Sequence, residues 1–222
     1  MTTVFITGGN RGIGLELAKA YHLAGATVLR GVRDPSAAKR DLGEVHRLDV
    51  ADPGSVGGLA RALAGRPIDI LINNAGVIGP DRQSALDMDF DGFLDTLKIN
   101  TLGPLRVSQA LLSNLLSAAS LPRIAIISSR MGSLSNAASD HMAYRASKAA
   151  VNKLGQGLAT DLKPKGVAVA VIHPGWVRTD MGGSGADIDV AESAAGIKAV
   201  IEGLELETSG RFWNYDGRSL AW

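Results

Sequence analysis

The stretch TGGNRGIG, at residues 7–14, decides the fold of this chain. It follows a short β-branched run at 3–6 and opens a segment of helical period, the setting in which a glycine motif binds nucleotide phosphates. Gly8, Gly12 and Gly14 would let the backbone turn tightly, approach a pyrophosphate and pack the helix against the sheet. A glycine-rich turn that exists for steric reasons alone is the alternative.

Beyond this turn, short β-branched runs alternate with longer segments of helical period, which is typical of stacked βαβ units. Pro164 and Gly166 form a breaker pair between one helix and the next strand. The sequence therefore predicts an α/β fold: a single domain over 1–222, with a doubly wound (Rossmann) parallel sheet of about seven strands and helices on both faces. Strands are predicted at 3–6, 27–32, 44–48, 67–72, 122–128, 167–173 and 211–215, and helices at 12–25, 35–41, 53–64, 88–119, 140–164 and 190–205.

Composition excludes several classes of function. The formal net charge of +1 gives no reason to expect nucleic acid or an anionic membrane as a partner. The chain has no cysteine, which excludes disulfides, thiolate metal sites and a thiol nucleophile. No metal site is predicted, because the histidines lack metal-ligand spacing; they are His22, His46, His141 and His173.

Targeting signals are also not apparent. No apolar run approaches the ~20 residues that a membrane-spanning helix needs. The first predicted strand begins at residue 3, which leaves no room for a signal peptide. We therefore expect a cytoplasmic protein.

Tyr144 and Lys148, in YRASK, lie four residues apart in the predicted helix 140–164, so their side chains share one face. A tyrosine hydroxyl with an ordinary pKa of about 10 is a poor base at neutral pH. A neighbouring ammonium stabilises the phenolate, so Lys148 is expected to lower the pKa of Tyr144. The alternative is a pair that only packs at the surface.

The end of the second strand bears on cofactor choice. Folds that use NAD often carry an acid there, which holds the ribose 2′-hydroxyl. In ATVLRGVRDP (26–35), Arg33 stands where a guanidinium can pair with a 2′-phosphate. This favours NADP(H) over NAD(H), with a solvated loop charge as the alternative. Asp34, before Pro35, is expected to cap the next helix, and Arg30 to be exposed on the strand.

Five segments together resemble the short-chain dehydrogenase/reductase family, in the family's order and over nearly the whole chain. Within that family the chain is similar to the compact carbonyl-reductase and C-factor-like group, through VRDP at 32–35, PGWVRTDMGG at 174–183 and the closing YDG…W at 215–222. The five segments are TGGNRGIG (7–14), LINNAG (71–76), KINTLGP (98–104), ISSRMG (127–132) with YRASK (144–148), and HPGWVRTDM (173–181).

The resemblance implies a cofactor site that uses the glycine turn, the second and third strand ends, the NNAG segment and the region after the sixth strand. Tyr144 and Lys148 also belong to it, since the family's lysine holds the nicotinamide ribose. The remaining implied contacts are Gly8, Asn10, Arg11, Gly12, Ile13, Gly14, Arg33, Asp49, Val50, Asn74, Ala75, Gly76, Val177 and Thr179.

The resemblance also implies a catalytic set. Tyr144 would be the general acid in carbonyl reduction and the base in alcohol oxidation. Ser129 would donate a hydrogen bond to the substrate oxygen, with Ser128 as its rival, and Asn100 would support a water relay to Lys148. Ser129 lies 15 residues before Tyr144, about two more than is usual in the family, so the intervening loop 130–143 is longer.

The function expected from these residues is NADPH-dependent reduction of a small aldehyde or ketone. The alternatives are an NAD-linked alcohol dehydrogenase or epimerase, and a non-catalytic NADP-binding signalling or sensor protein. Only 43 residues follow Thr179, which disfavours an epimerase with a large substrate region. In the resembled family the helices at 88–119 and 140–164 build a dimer face, so a homo-oligomer (dimer or tetramer) is expected.

Overall fold

The computed structural model describes residues 1–38, 41–135 and 137–222. This part of the chain holds seven strands in one sheet, in the order β3-β2-β1-β4-β5-β6-β7, and every neighbouring pair is parallel. The strands are β1 Thr3–Thr7, β2 Thr27–Val32, β3 Glu44–Arg47, β4 Ile70–Asn73, β5 Arg123–Ile127, β6 Ala168–His173 and β7 Phe212–Asn214. The α-helices are α1 Gly12–Leu23, α2 Pro53–Ala62, α3 Phe90–Leu97, α4 Gly103–Ala110, α5 Leu112–Leu116, α6 Met142–Leu162 and α7 Val190–Glu202.

Helices cover both faces of the sheet. On one face α1 and α7 bury Leu17, Tyr21 and Ile197 against the strands. On the other face α2, α4 and α6 bury Leu59, Val107 and other apolar side chains in a second core. The strands that are covered on both sides are largely apolar, as is typical of parallel strands. The predicted doubly wound Rossmann fold is confirmed.

The strand order reverses between β1 and β4. The chain moves outward from β1 to β2 and β3, then returns to the other side of β1 at β4. Connections leaving the carboxyl ends of β1 and β4 therefore diverge, and an open α/β sheet binds ligands in the crevice that this divergence leaves. The segments that begin at Thr7 and Asn73 border that crevice.

Two predicted helices differ from the structure. In place of 35–41 there is a 3-10 turn over Pro35–Ala37, with the Asp34 carboxylate accepting from the Ser36 amide as expected; Lys39 and Arg40 lie outside the described residues. The predicted helix 88–119 is divided into α3, α4 and α5, with one π-helical turn at Lys98–Leu102. Such turns insert a residue into the helix and are frequent at functional sites.

Helix α6 lies unusually close to β6. A Cβ atom added to Gly155 would lie 2.3 Å from Cγ2 of Val171, so only glycine allows this approach. The helix ends at Leu162, a 3-10 turn follows, and Gly166 takes a left-handed φ of 75° before β6. The predicted breaker pair at Pro164 and Gly166 is confirmed.

The expectation that Arg30 is exposed is wrong. Its side chain is fully buried, because β2 lies between β1 and β3 and the glycine turn covers it. The Arg30 stem packs on Gly9, where an added Cβ would meet Arg30 Cγ at 2.9 Å, and Nη1 donates to the Gly9 carbonyl at 3.3 Å. The Arg30 side chain therefore supports the glycine turn by packing against Gly9.

None of the helices in the described ranges is both long and apolar enough to cross a bilayer.

Candidate active site

The glycine turn joins β1 to α1 through two residues with left-handed φ angles. Gly8 and Gly12 have φ angles of 68° and 53°, which glycine adopts without strain. In the described structure Arg11, the N-cap residue of α1, makes no side-chain cap hydrogen bond. The first amide groups of this 12-residue helix, where the positive end of the helix dipole lies, are therefore not capped by that side chain.

The turn is joined to the NNAG segment after β4 by hydrogen bonds across the crevice. Thr7 Oγ1 accepts from the amides of Asn74 and Ala75 at 2.9 and 3.0 Å. Asn74 Nδ2 donates to the carbonyls of Thr7 and Gly8. A Cβ on Gly14 would lie 2.3 Å from the Gly8 carbonyl oxygen, so the helix start, the turn and Asn74 form one close-packed unit.

The residues expected at the adenosine end lie at the carboxyl ends of β2 and β3. Arg33 is exposed immediately after β2, and Gly31 of the same strand pairs in register with Thr7. Asp49 and Val50 follow β3; the Asp49 carboxylate accepts from the Ala51 amide, and Val50 is buried. The structure thus places all three at the edge of the sheet that also carries the glycine turn.

Tyr144, Lys148 and Ser129 converge at the carboxyl ends of β4 and β5. Lys148 lies one helical turn after Tyr144, with Nζ 5.6 Å from the centre of the tyrosine ring. Ser129 follows β5 and its hydroxyl is hydrogen-bonded to Tyr144. Each of the three side chains is more than nine-tenths buried. Three of the four residues predicted to form the catalytic set therefore lie close together.

The two ionisable groups titrate differently from the expectation. Burial raises the pKa of Tyr144 to about 12, and the hydrogen bond with Ser129 opposes this. The structure does not give the expected lowering of the Tyr144 pKa by Lys148, because the Lys148 ammonium donates instead to the Ile127 carbonyl at 2.9 Å. Burial lowers the pKa of Lys148 to about 8. At pH 7 the phenol is neutral and the lysine is largely protonated.

The side chains of Ser128 and Ser129, the two candidates for the catalytic serine, point in different directions. Ser128 is buried and its hydroxyl donates to Asn152 Oδ1 on α6, away from Tyr144. Ser129 Oγ accepts from the Met131 amide at 3.1 Å, which leaves its hydroxyl hydrogen available. Adjacent residues at a strand end point in opposite directions, so only Ser129 reaches the tyrosine.

Asn100 lies in the π-helical turn and is 1% exposed. Its side chain exchanges hydrogen bonds with the backbone of Val77, directly after the NNAG segment, at 2.9 and 2.8 Å. It also donates to Ser147 Oγ on α6, and Ser147 in turn donates to the Tyr144 carbonyl. Asn100 therefore ties the backbone beside Gly76 to the helix that carries Tyr144 and Lys148.

The segment after β6 closes the other side of the crevice. Thr179 Oγ1 bonds to the Val177 carbonyl and the Gly182 amide, which folds the segment into a compact turn. A Cβ on Gly12 would meet Thr179 Cγ2 at 3.6 Å, so this turn faces the glycine turn. An exposed ion pair between Arg11 and Asp180, at 3.1 Å, joins the two.

Three contributors were not found from the sequence. Thr7 belongs to the glycine motif, but its bonds to Asn74 and Ala75 depend on β1 and β4 being neighbours. Arg30 and Gln83 carry no motif signal. Gln83 is nearly buried beside Tyr144, where its side chain accepts from the Tyr144 amide.

Across residues 1–38, 41–135 and 137–222, no cluster of three or more His, Cys, Asp or Glu residues has a geometry suited to a metal ion.

The fold and the site define a member of a known class of enzymes. Residues 2–187 match the model of the family described as short chain dehydrogenase. The chain belongs to the short-chain dehydrogenase/reductase family and is an NAD(P)-dependent oxidoreductase of that family.

Individual relatives refine this comparison. Over 158 residues, which cover 70% of this chain and 93% of the other, the chain is 48% identical to a Myxococcus xanthus protein called C-signal. It is 36% identical over the full length of both chains to 1-hydroxy-2-glutathionyl-2-methyl-3-butene dehydrogenase of Rhodococcus sp. strain AD45. Among solved structures, the NADPH-bound carbonyl reductase from chicken fatty liver superposes with a TM-score of 0.91 at 31% identity, covering 100% of this chain and 99% of that one.

Proposed function

We propose that this protein is an NADPH-dependent carbonyl reductase that converts a small aldehyde or ketone to an alcohol. The observation that carries the proposal is the contact of a buried phenol, a serine hydroxyl and a lysine at the carboxyl edge of the sheet, beside an uncapped helix N-terminus. The match to an NADPH-bound carbonyl reductase over the whole chain supports it.

A dinucleotide is proposed to bind in the crevice between the glycine turn and the NNAG segment. Gly8, Gly12 and Gly14 remove the side chains that would fill the turn, and the first amides of α1 can receive a pyrophosphate. Asn74, Ala75 and Gly76 border the turn on the β4 side, and the Val177–Thr179 segment borders it beyond Gly12. Bound in this crevice, a nicotinamide cofactor supplies the hydride that reduces the carbonyl carbon.

The protein supplies the proton and the orientation. Tyr144, whose pKa is raised to about 12, keeps its proton at neutral pH and donates it from the hydroxyl to the carbonyl oxygen as that oxygen becomes an alkoxide. Ser129, whose Oγ accepts from the Met131 amide, donates its hydroxyl hydrogen to the same oxygen in place of its bond with Tyr144. This leaves Tyr144 as a phenolate whose negative charge, unlike the neutral phenol, attracts the Lys148 ammonium 5.6 Å from the ring centre.

Lys148 and Asn100 have supporting roles in this proposal. Lys148 holds the nicotinamide ribose, and Asn100 supports the path by which water returns a proton towards Lys148. Asn100 is buried and bonded to Val77 and Ser147, so it also fixes the distance between the NNAG segment and α6.

NADP(H) is proposed over NAD(H) because of Arg33. Its guanidinium is exposed at the carboxyl end of β2, where it can pair with a 2′-phosphate without losing any existing partner in the described structure other than water. Arg11, whose side chain is 65% exposed, is paired with the surface carboxylate of Asp180 and adds a second cation on the same edge.

The direct test is NADPH oxidation by the purified protein with a panel of small aldehydes and ketones. Turnover with at least one panel member, dependent on enzyme concentration, is expected. If the protein binds NADPH tightly and no carbonyl is reduced, the proposal is wrong.

Two other functions have a specific observation in their favour. The name of the Rhodococcus relative favours oxidation of an alcohol by the same residues, with Tyr144 as base; NADP⁺ reduction by alcohols that exceeds carbonyl reduction would support it. The name C-signal favours a signalling role, which cofactor binding without any turnover would support. The contact between Ser129, Tyr144 and Lys148 favours an enzyme, since a sensor needs no proton donor.

We also propose that the protein forms a homo-oligomer, a dimer or a tetramer. Phe90 and Leu94 lie one turn apart on α3 and are 73% and 54% exposed. A solvent-facing apolar pair on a helix of the expected dimer face supports this proposal. Sedimentation of the purified protein measures the state directly, and a monomer at all concentrations would exclude it.

A further inference from the structure

Helix α6 begins without a cap of its own. Its N-cap residue, His141, has a φ of 50° and, in the described structure, makes no side-chain cap hydrogen bond. The His141 ring pairs instead with Asp140 at the surface. The first amide groups of a helix have no partner within the helix, and a buried start needs acceptors from elsewhere.

Gln83 supplies two of those acceptors from a distant loop. Its backbone carbonyl accepts from the Met142 amide at 2.9 Å, and its side-chain Oε1 accepts from the Tyr144 amide at 3.1 Å. Gln83 precedes Tyr144 by 61 residues and is 7% exposed. The residue that caps the helix is thus bound directly to the backbone of the proposed proton donor.

The other end of the same side chain holds the segment that follows NNAG. Nε2 donates to the carbonyls of Ile78 and Pro80 at 3.1 and 2.7 Å. Gly79, with a φ of 94°, lies between these carbonyls, and a Cβ there would approach Gln83 Oε1 to 3.3 Å. Both amide hydrogens and the amide oxygen are therefore used, a set that no other amino acid of this length provides.

We propose that Gln83 is a positioning residue for Tyr144: its amide group fixes the start of α6 against the segment after Gly76, and so sets the position of the phenol relative to the cofactor crevice. This inference rests on the proposed reductase function. It assigns Gln83 a task parallel to that of Asn100, which joins Val77 to Ser147 one turn further along α6.

If Gln83 had a purely structural role, its replacement would lower stability without a specific loss of kcat. Asn114 provides the matched control for this comparison. Asn114 is 3% exposed, and its amide also donates to two backbone carbonyls, those of Leu63 and Arg66, at 2.6 and 2.7 Å. These contacts lie at the end of α2, remote from Tyr144. Asn114→Leu and Gln83→Met each replace a buried amide by an apolar side chain of similar size.

The test compares kcat for carbonyl reduction, NADPH affinity and unfolding free energy in the wild type and both variants. Gln83→Met is expected to lower kcat by about 10- to 100-fold, since small misplacements of a reacting group cost that much, with NADPH affinity changed by less than about 3-fold. Asn114→Leu is expected to lose a similar amount of stability and to keep the wild-type kcat. Equal kcat in the two variants would overturn the proposal.

Gln83→Glu keeps the inference testable if Gln83→Met does not fold. A carboxylate would face the Ile78 and Pro80 carbonyls, but the protonated acid can donate to one of them and still accept from Tyr144. The kcat of this variant, relative to the wild type, is expected to rise as the pH falls. A ratio that does not change with pH would refute the positioning role, and a wild type without turnover would refute the reductase proposal together with it.

Discussion

At the scale of single residues, His173 makes stability depend on pH. It ends β6, is 6% exposed, and its Nδ1 has no hydrogen-bond partner among the described residues. Burial and the nearby Arg130 lower its pKa to about 4, against the opposing effect of Asp216. Because the folded pKa lies below the unfolded value of about 6.5, stability is complete above that value and is lost as the pH falls towards 4.

For His173 we predict a difference in unfolding free energy between two pH values. Between pH 7.5 and pH 5 the protonation of this residue in the unfolded chain should cost about 2 kcal/mol of unfolding free energy. His173→Gln removes that part of the loss, which chemical denaturation at both pH values measures. His22→Gln, at an exposed position on α1, is the control and should retain the wild-type difference. A His173→Gln variant that loses as much stability as the wild type would contradict the prediction.

Single residues also mark where sequence reasoning succeeded and where it stopped. Tyr144 and Lys148 could be paired because a helical period places residues four apart on one face. The choice of Ser129 over Ser128 needed the side-chain directions at the end of β5. The burial of Arg30 depends on which strands flank β2 and on the glycine turn that covers it. The raised pKa of Tyr144 depends on how much protein surrounds the phenol. Neither can be predicted from the local sequence pattern.

At the scale of elements, α6 carries the site and its distance from the sheet is set by glycine. Gly155→Ala would place a methyl group against Val171, a rigid and buried side chain of β6, and overpacking of this kind costs about 1–3 kcal/mol. Gly157 is in the same helix, and apart from its chain neighbours and the backbone of α6 itself, no atom of the described structure lies within 4 Å of the Cβ that would be added there. Gly157→Ala should therefore stabilise by about 0.5–1 kcal/mol, since alanine is the better helix former.

Urea denaturation of the two variants provides the comparison. Opposite signs are expected, and Gly155→Ala should also lower turnover because it moves the helix that holds Tyr144 and Lys148. Two variants that shift stability in the same direction would show that α6 does not depend on close contact at Gly155.

Element boundaries were predictable where a period or a breaker exists. The predicted strands each overlap a strand of the described structure, because short β-branched runs between turn residues have few other structures open to them. The division of 88–119 was not predictable from its 3.6-residue period. The π-helical turn at Lys98–Leu102 is maintained by tertiary bonds from Asn100 and Thr101 to residues of other segments.

At the scale of the whole molecule, the cofactor should stabilise the folded state. NADPH at 100 times its Kd adds about 2.7 kcal/mol, which for a chain of 222 residues raises Tm by about 5–10 °C. Arg33→Asp should abolish most of the shift with NADPH and little of the shift with NADH, as thermal unfolding at matched ligand concentrations will measure. An equal reduction of both shifts would mean that Arg33 does not contact the 2′-phosphate.

The central claim concerns the proton of Tyr144, and a single-turnover experiment tests it most directly. Enzyme saturated with NADPH is mixed with a carbonyl that the wild type reduces, and the rate of NADPH oxidation is compared with that of Tyr144→Phe. Loss of the hydroxyl should slow this step by at least about 100-fold while NADPH affinity stays at the wild-type value. A variant that oxidises NADPH within a few-fold of the wild-type rate would show that the proton comes from another group.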